Sequence, residues 1–383
     1  MGKHVSLQDL KQIDWSTLSQ AYDASAEDVA YNLEILLTLS SGEEVFEQAL
    51  SELYNSISHQ GIIYDSTTAA IPFLIAALDH CPSSCKPTLV RLLGSISQGM
   101  AYLAQHEDVY THFDAQLAWV NEGIEALWKG FDSLTFLLTD PINEVRIQAP
   151  YLVTNLLGKS EDFRPVAYRN RSLDMAFALR ISQELLPTEP DSFVRCSFVY
   201  SLGHTAFNYP DSLKILRQLL QQTGDARVRI CTALNLAMHQ QYEDALEPLT
   251  TALQNCAVTD RLFFNELPWF SGWLRFQLVY SLSSFPFVYL DQILPAFLQS
   301  IKAASANTTE LEIIPILRYV FQGRKVDLSK GLAGLSASER TILRTIYANS
   351  AILGTPIVRV SLALQNCIGL EDKKDVWKQL LGI

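Results

Sequence analysis

The sequence predicts an all-α fold, a right-handed α-solenoid of about seven to nine stacked helix pairs in one continuous domain, residues 1–383. Three observations predict it. Apolar residues recur at helical spacing from end to end. No stretch alternates with period two between hairpin turns. Four stretches repeat one short pattern at intervals that fit one helix pair each. A chain of 383 residues is long for one compact core but ordinary for a repeat array.

Taken in order, EDVAYNLEILLTL (27–39) puts Val29, Leu33, Leu36 and Leu37 on one stripe. SGEEVFEQALSELYNSI (41–57) opens with Ser41 and Glu44 at capping-box spacing and carries Val45, Ala49, Leu53 and Ile57. SHQGIIYDSTTAAIPFL (58–74) follows. Gly61 suits a left-handed helix end, Asp65, Ser66 or Thr67 can cap the next helix, and Pro72 bends it. His59, Gln60 and Tyr64 then bond backbone around a tight turn. The competing reading is a polar pocket of His59, Tyr64 and Asp65, with His59 and Asp65 as acid and base. Residues 97–140 read as a helix pair around an exposed loop near His106–His112. SASERTILRTIYANS (336–350) repeats the capping box with Ser336 and Glu339.

The repeated stretches are TDPINEVRIQAPYLVTNLLG (139–158), EPDSFVRCSFVYSLGHTA (189–206), TGDARVRICTALNLAMHQ (223–240) and SGWLRFQLVYSLSSFP (271–286). In the first three, Asp140, Asp191 and Asp225 stand shortly before a Val-Arg pair; the fourth keeps the arginine, Arg275, without the aspartate. Each aspartate can cap its helix. Arg146, Arg195 and Arg229 can reach an aspartate of an adjoining copy, which makes these six residues a structural ladder. A lone helix pair cannot bury both faces, so the copies must stack.

These residues resemble HEAT repeats, in which D-x-x-x-V-R opens the second helix of a pair. More narrowly, SHQGIIYDSTTAAIPFL and the closing LSASERTILRTIYANSAILGTPIVRVSLALQNCIGL (335–370) are similar to a group of bacterial HEAT-repeat proteins, largely of unassigned function. The resemblance implies the solenoid, kinked first helices and, by default, an interaction scaffold.

Charge sharpens the expectation. The net charge is −12, with −9 in residues 1–65, −5 in 66–140, −2 in 141–260 and +4 in 261–383. An acidic N-terminal lobe (1–140), central repeats (141–330) and C-terminal capping helices (331–383) follow. An acidic lobe argues against direct nucleic-acid binding and suits a basic protein partner, with Glu43, Glu44 and Glu47 as contact residues. The aromatic stretch 261–291 offers Trp269, Phe270 and Trp273 as interface anchors, with Phe276 and Tyr280 in the core. No apolar run nears the roughly 20 residues of a membrane span and no secretory h-region opens the chain. A cytoplasmic protein with no membrane contact and six reduced cysteines is expected. The sequence holds no zinc-site, P-loop, dinucleotide or nucleophile-elbow motif. No metal, no cofactor and no catalytic residue are therefore expected. The expected function is non-enzymatic binding, in the form of an inhibitor or immunity-type protein that blocks a basic toxin or nuclease. The alternatives are an assembly scaffold or adaptor of a cytosolic complex, and a HEAT-like enzyme of lyase or glycosylase type.

Overall fold

A computed structural model describes residues 5–21, 25–38, 42–105, 113–158, 172–263, 267–270, 272–353, 358–371 and 373–382. His106 and His112 lie outside the described residues, as does Ser41. The described backbone forms helices and turns, with an isolated bridge between Ser19 and Ser25. Contacts divide the chain into two compact units, residues 1–215 with 267–269, and residues 216–266 with 270–383.

The first unit contains α1 (Leu7–Leu10), α2 (Glu27–Leu37), α3 (Glu43–Ile57), α4 (Asp65–Ala77), α5 (Lys86–Gln105), α6 (Phe113–Lys129), α7 (Phe131–Phe136), α8 (Asn143–Leu157), α9 (Ser172–Arg180) and α10 (Ser192–Thr205). The boundary falls inside α11 (Ser212–Gln222). The second unit continues with α12 (Ala226–Met238), α13 (Tyr242–Gln254), α14 (Cys256–Thr259), α15 (Leu274–Leu282), α16 (Leu290–Ala303), α17 (Thr309–Phe321), α18 (Ala337–Ala348), α19 (Val358–Ile368) and α20 (Lys374–Leu381). Among the described residues no helix is long and apolar enough to cross a membrane.

Within each unit, helices pack on chain neighbours and on helices one or two places further on. In the first unit α5 packs on α8, and α8 on α10, while α2 touches both α3 and α4. In the second, α13 packs on α12 and α16, α15 on α17, and α17 on α19. The composition of each helix follows from its place. Helix α8 lies between α5 and α10 and is buried nearly all round, including Gln148, Pro150 and Thr154. Helix α3 buries Phe46, Ala49, Leu50, Leu53 and Ile57 on one side and shows the other to water. The α8–α10 seam needs small residues. Ser197 and Ser201, one turn apart on α10, donate to the carbonyls of Ile147 and Pro150 at 2.9 and 3.2 Å, and Thr154 donates to Ser201 at 2.6 Å. The buried hydroxyls are thereby satisfied while the two backbones approach closely.

Helix starts follow the repeat pattern in part. Asp191 caps α10 by accepting from the amides of Phe193 and Val194 at 2.9 and 3.0 Å, and Asp225 caps α12 from Arg227 and Val228 at 2.9 and 3.2 Å. The Ser336–Glu339 box closes as expected. Helix α3 instead starts at Glu43 with Gly42 at its cap, without a side-chain cap. Asp140 sits one turn before α8, where it accepts from the Ile142 amide at 2.9 Å and pairs with Lys86 at 2.6 Å.

The aspartate–arginine ladder takes another form. Arg146 forks onto Glu189, at 2.9 and 3.1 Å, and donates to the carbonyl of Asp140 at 2.7 Å. Asp191 receives Asn143 across the same seam at 3.2 Å. Arg229 reaches Glu247 at 2.8 Å and the Leu220 carbonyl at 3.1 Å. The Nε of Arg195 makes no hydrogen bond among the described residues. Each aspartate thus spends its oxygens on its own helix start or a nearby amine, so the arginines turn to other acceptors.

Arg275, in the copy without an aspartate, has the most buried arrangement. Asp260, at the end of the preceding helical segment, accepts from its amide at 2.9 Å and from its Nη1 at 3.0 Å. Glu312 of α17 approaches its Nε within 2.9 Å, though the N–H does not point along that line. Ser300 donates to Glu312 Oε1 at 3.0 Å, while Oε2 finds no donor among the described residues. Both carboxylates are buried, and burial pushes both above the usual carboxylate range, with Arg275 offsetting part of the effect. Two acids face one guanidinium, and Glu312 is the worse solvated by its neighbours.

Stability that these acids contribute is present below their unfolded pKa and is lost as pH rises through the folded pKa. Replacing Asp260 by Asn is expected to cost roughly 3 kcal/mol at pH 7, because it breaks a buried pair. Glu312→Gln is expected to stay within about 1 kcal/mol of the parent and to flatten the loss of stability as pH rises above the usual carboxylate range. Urea titrations followed by circular dichroism from pH 4 to 8 check both; a costlier Glu312→Gln would refute the assignment.

Candidate functional site

Three surfaces were candidates from the sequence, and the structure sorts them differently. The HQG stretch forms a single 3-10 turn, His59–Gly61, between α3 and α4. Gly61 has φ +80°, a left-handed value that favours glycine. Its carbonyl lies against Gly99 of α5, where an added Cβ would come within 2.6 Å. Thr67 donates to the Ile57 carbonyl at 2.7 Å and accepts from the Tyr64 amide at 3.0 Å, which sews the end of α3 to the start of α4. Asp65 accepts from the amide and hydroxyl of Ser19 at 2.8 and 2.7 Å, and from the Ser66 amide at 2.8 Å. His59 and Tyr64 are half-buried beside the turn. Asp65 is thus committed to holding the N-terminal segment on α4.

The aromatic trio separates. Trp269, which belongs to the first unit, stacks on Tyr200 at 4.4 Å and 17°, and Tyr200 lies 4.0 Å from His204 and 5.7 Å from Tyr151. Burial pushes the phenols of Tyr200 and Tyr151 upward, which favours their protonated form. Phe270 is a correction to the exposed-anchor expectation: it is buried in the second unit and stacks on Phe263 at 5.8 Å. Trp273 is 39 % exposed, with the Arg275 guanidinium 5.3 Å from its ring. Tyr280, expected in the core, is 74 % exposed, because α15 buries Leu274, Leu278, Val279 and Leu282 on the opposite face. Sequence reasoning passed over Tyr151 and Tyr200. The signal was a tyrosine five residues after the arginine in three of the four copies, at 151, 200 and 280.

The acidic lobe has a definite concavity. A cleft of about 330 Å³ runs between α2 and α3, lined among others by Asp28, Tyr31, Asn32, Val45, Gln48 and Glu52. Tyr31 is 66 % and Val45 48 % exposed. Two carboxylates and an exposed phenol therefore share a recess that no lysine or arginine lines. Glu43, Glu44 and Glu47 are not its lining. The cleft takes the α3 series 45, 48, 52; Glu43 lies off it and accepts from Ser84 in the turn before α5. Glu43 and Glu47 also help push the nearby Cys85 thiol upward, behind the larger effect of burial. Burial pushes its neighbour Cys81 up to about 12, and both are free thiols. Such thiols stay protonated and unreactive near neutral pH. Among the described residues no three His, Cys, Asp or Glu side chains gather as a metal site would require.

Comparisons place the chain near no named family. No family model and no curated protein matches it. One matching solved structure is a crystal structure of an engineered protein, 16 % identical, with TM-score 0.36, over 93 % of this chain and 98 % of that one. That likeness is too loose to transfer fold or function.

The turn reading of Asp65 is directly checkable. Asp65→Ala is expected to cost roughly 1–3 kcal/mol, since it orphans the partly buried Ser19 amide. Chemical denaturation measures it; an unchanged midpoint, with Ser19 amide exchange no faster, would contradict the bonding described.

Proposed function

We propose that the chain is a helical-repeat binding protein, a right-handed α-solenoid of HEAT-like pairs. It acts in the cytoplasm without catalysis, holding a basic protein segment on its acidic N-terminal face as an inhibitor or immunity-type protein would. The observation that carries this reading is the α2–α3 cleft, where Asp28 and Glu52 flank exposed Tyr31 and Val45. Carboxylates steer a basic partner and reject an acidic one, while an exposed phenol and apolar surface supply contact area. The commitment of Asp65 to Ser19 supports the same reading, because the HQG stretch then works as a hinge-like staple between helices and not as an acid–base pair.

A second reading rests on a different observation. In the second unit Trp273, Tyr280, Phe287 and Val288 are exposed, the last by 81 %. A scaffold that gathers a cytosolic complex through apolar contacts would use such side chains. Its complexes would resist salt, whereas those of the acidic cleft would not.

Charge reversal separates the two. Asp28→Lys with Glu52→Lys is expected to slow association with a basic partner at least about tenfold at low salt, with a smaller change in dissociation. Surface plasmon resonance against the captured partner reads this, with Tyr280→Ala as the control. Loss of binding in Tyr280→Ala, with the reversed variant unaffected, would hand the function to the scaffold reading.

A further inference from the structure

The second unit has a cleft of its own, of about 550 Å³, between the last turn of α16 and the outer face of α18. Lys302 lines it from α16; Thr341, Arg344, Thr345, Asn349 and Ser350 line it from α18 and the turn that follows. Positions 341, 344, 345 and 348 recur at i, i+3, i+4 and i+7, one stripe of the helix. Ile342, Leu343 and Ile346 bury on the other side. No carboxylate lines this stripe, although the chain as a whole has net charge −12. Lys302 and Arg344 form no ion pair among the described residues.

The walls are fixed in position. Asn349 donates to the carbonyls of Ile301 and Ala304 at 2.7 and 3.0 Å and accepts from the Ala351 amide at 3.0 Å. This ties the end of α18 to the end of α16, so the two helix ends that carry the cations and hydroxyls are already side by side when a ligand arrives. Cations also suit helix C-termini. That accounts for Lys302 in the last turn of α16, but not for Arg344, which stands before the last turn of α18, nor for the hydroxyls or the missing carboxylates.

The hydroxyls narrow the ligand. Thr341 donates to the Ala337 carbonyl at 2.9 Å and Thr345 to the Thr341 carbonyl at 2.8 Å. Their protons are spent, so toward the cleft both oxygens accept. Phosphate oxygens need donors, which Arg344 and Lys302 supply; Thr341 and Thr345 need donors, which sugar hydroxyls supply. No aromatic ring lines the cleft for a base to stack on, and Ala348 adds little apolar area. The volume falls in the range of small-molecule sites, roughly 300–1,000 Å³.

We propose that this cleft binds a phosphorylated polyol, with Arg344 and Lys302 on the phosphate and the oxygens of Thr341 and Thr345 on the hydroxyls. The site is independent of the N-terminal protein-binding face. Isothermal titration with glucose 6-phosphate, inorganic phosphate and glucose tests it. Glucose 6-phosphate is expected to bind at least about tenfold more tightly than phosphate, and glucose at least about a hundredfold more weakly than glucose 6-phosphate. Arg344→Gln and Lys302→Gln each weaken glucose 6-phosphate at least about tenfold, and Arg344→Lys falls between, keeping charge but losing the fork. Thr345→Val weakens glucose 6-phosphate and leaves phosphate unchanged. The three substituted side chains lie at the surface or half-buried on α16 and α18, and circular dichroism confirms that each variant keeps its helices. The proposal fails if glucose 6-phosphate gives no heat at millimolar concentration, if it binds Arg344→Gln as it binds the parent, or if phosphate alone binds as tightly.

Discussion

The structure depends on how half-buried helix starts are held. The start of α8 is open to water, with Asn143 and Glu144 exposed, but α10 and α12 begin half-buried, where the first amides have less access to water. Asp191 and Asp225 supply acceptors locally for α10 and α12. For α15 the acceptor comes from Asp260, fifteen residues earlier, and the guanidinium it also holds is shared with Glu312 from α17. Satisfying those amides fixes where each helix begins, and that fixes which apolar side chains face the next helix. The packed serines of the α8–α10 seam and the isolation of Tyr280 on the outside of α15 both follow from that placement.

How much of this was legible in the sequence depends on range. Local devices were readable, because cap and helix are adjacent in the chain: the Asp191 and Asp225 caps and the Ser336–Glu339 box formed, and Gly61 took its left-handed φ, although α3 itself ends at Ile57 with Ser58 at its cap and Gly61 belongs to the 3-10 turn that follows. Long-range partners were not. Nothing near Arg146 in sequence points to Glu189, and nothing near Arg275 points to Glu312. The fourth copy lacks the aspartate in sequence; in three dimensions Asp260 fills its role. Tyr280 was misplaced for a related reason, since an aromatic-rich helix gives no clear stripe and its buried face is set by its neighbours.

The candidate sites show the same limit. The acidic bias of the N-terminal region was evident from composition, but Glu43, Glu44 and Glu47 were chosen by proximity in sequence. The cleft instead joins Asp28 on α2 to Glu52 on α3, one helix apart. The basic cleft at α16 and α18 drew no attention, because Lys302 and Arg344 are 42 positions apart and the pattern is visible when the two helix ends are side by side. In both cases the chemistry arises from a pair of adjacent helices, each supplying one charged residue, and such pairs are what a stack of short helices readily provides.

The central claim is that the acidic face recruits a basic partner by charge. Capture of tagged protein from its host lysate, washed at about 50 mM and about 500 mM salt and read by mass spectrometry, tests it most directly, since exposed charges are screened over that range. The account predicts one basic protein retained at low salt and released at high salt. A set of partners that survives high salt, or a retained partner that is itself acidic, would contradict it.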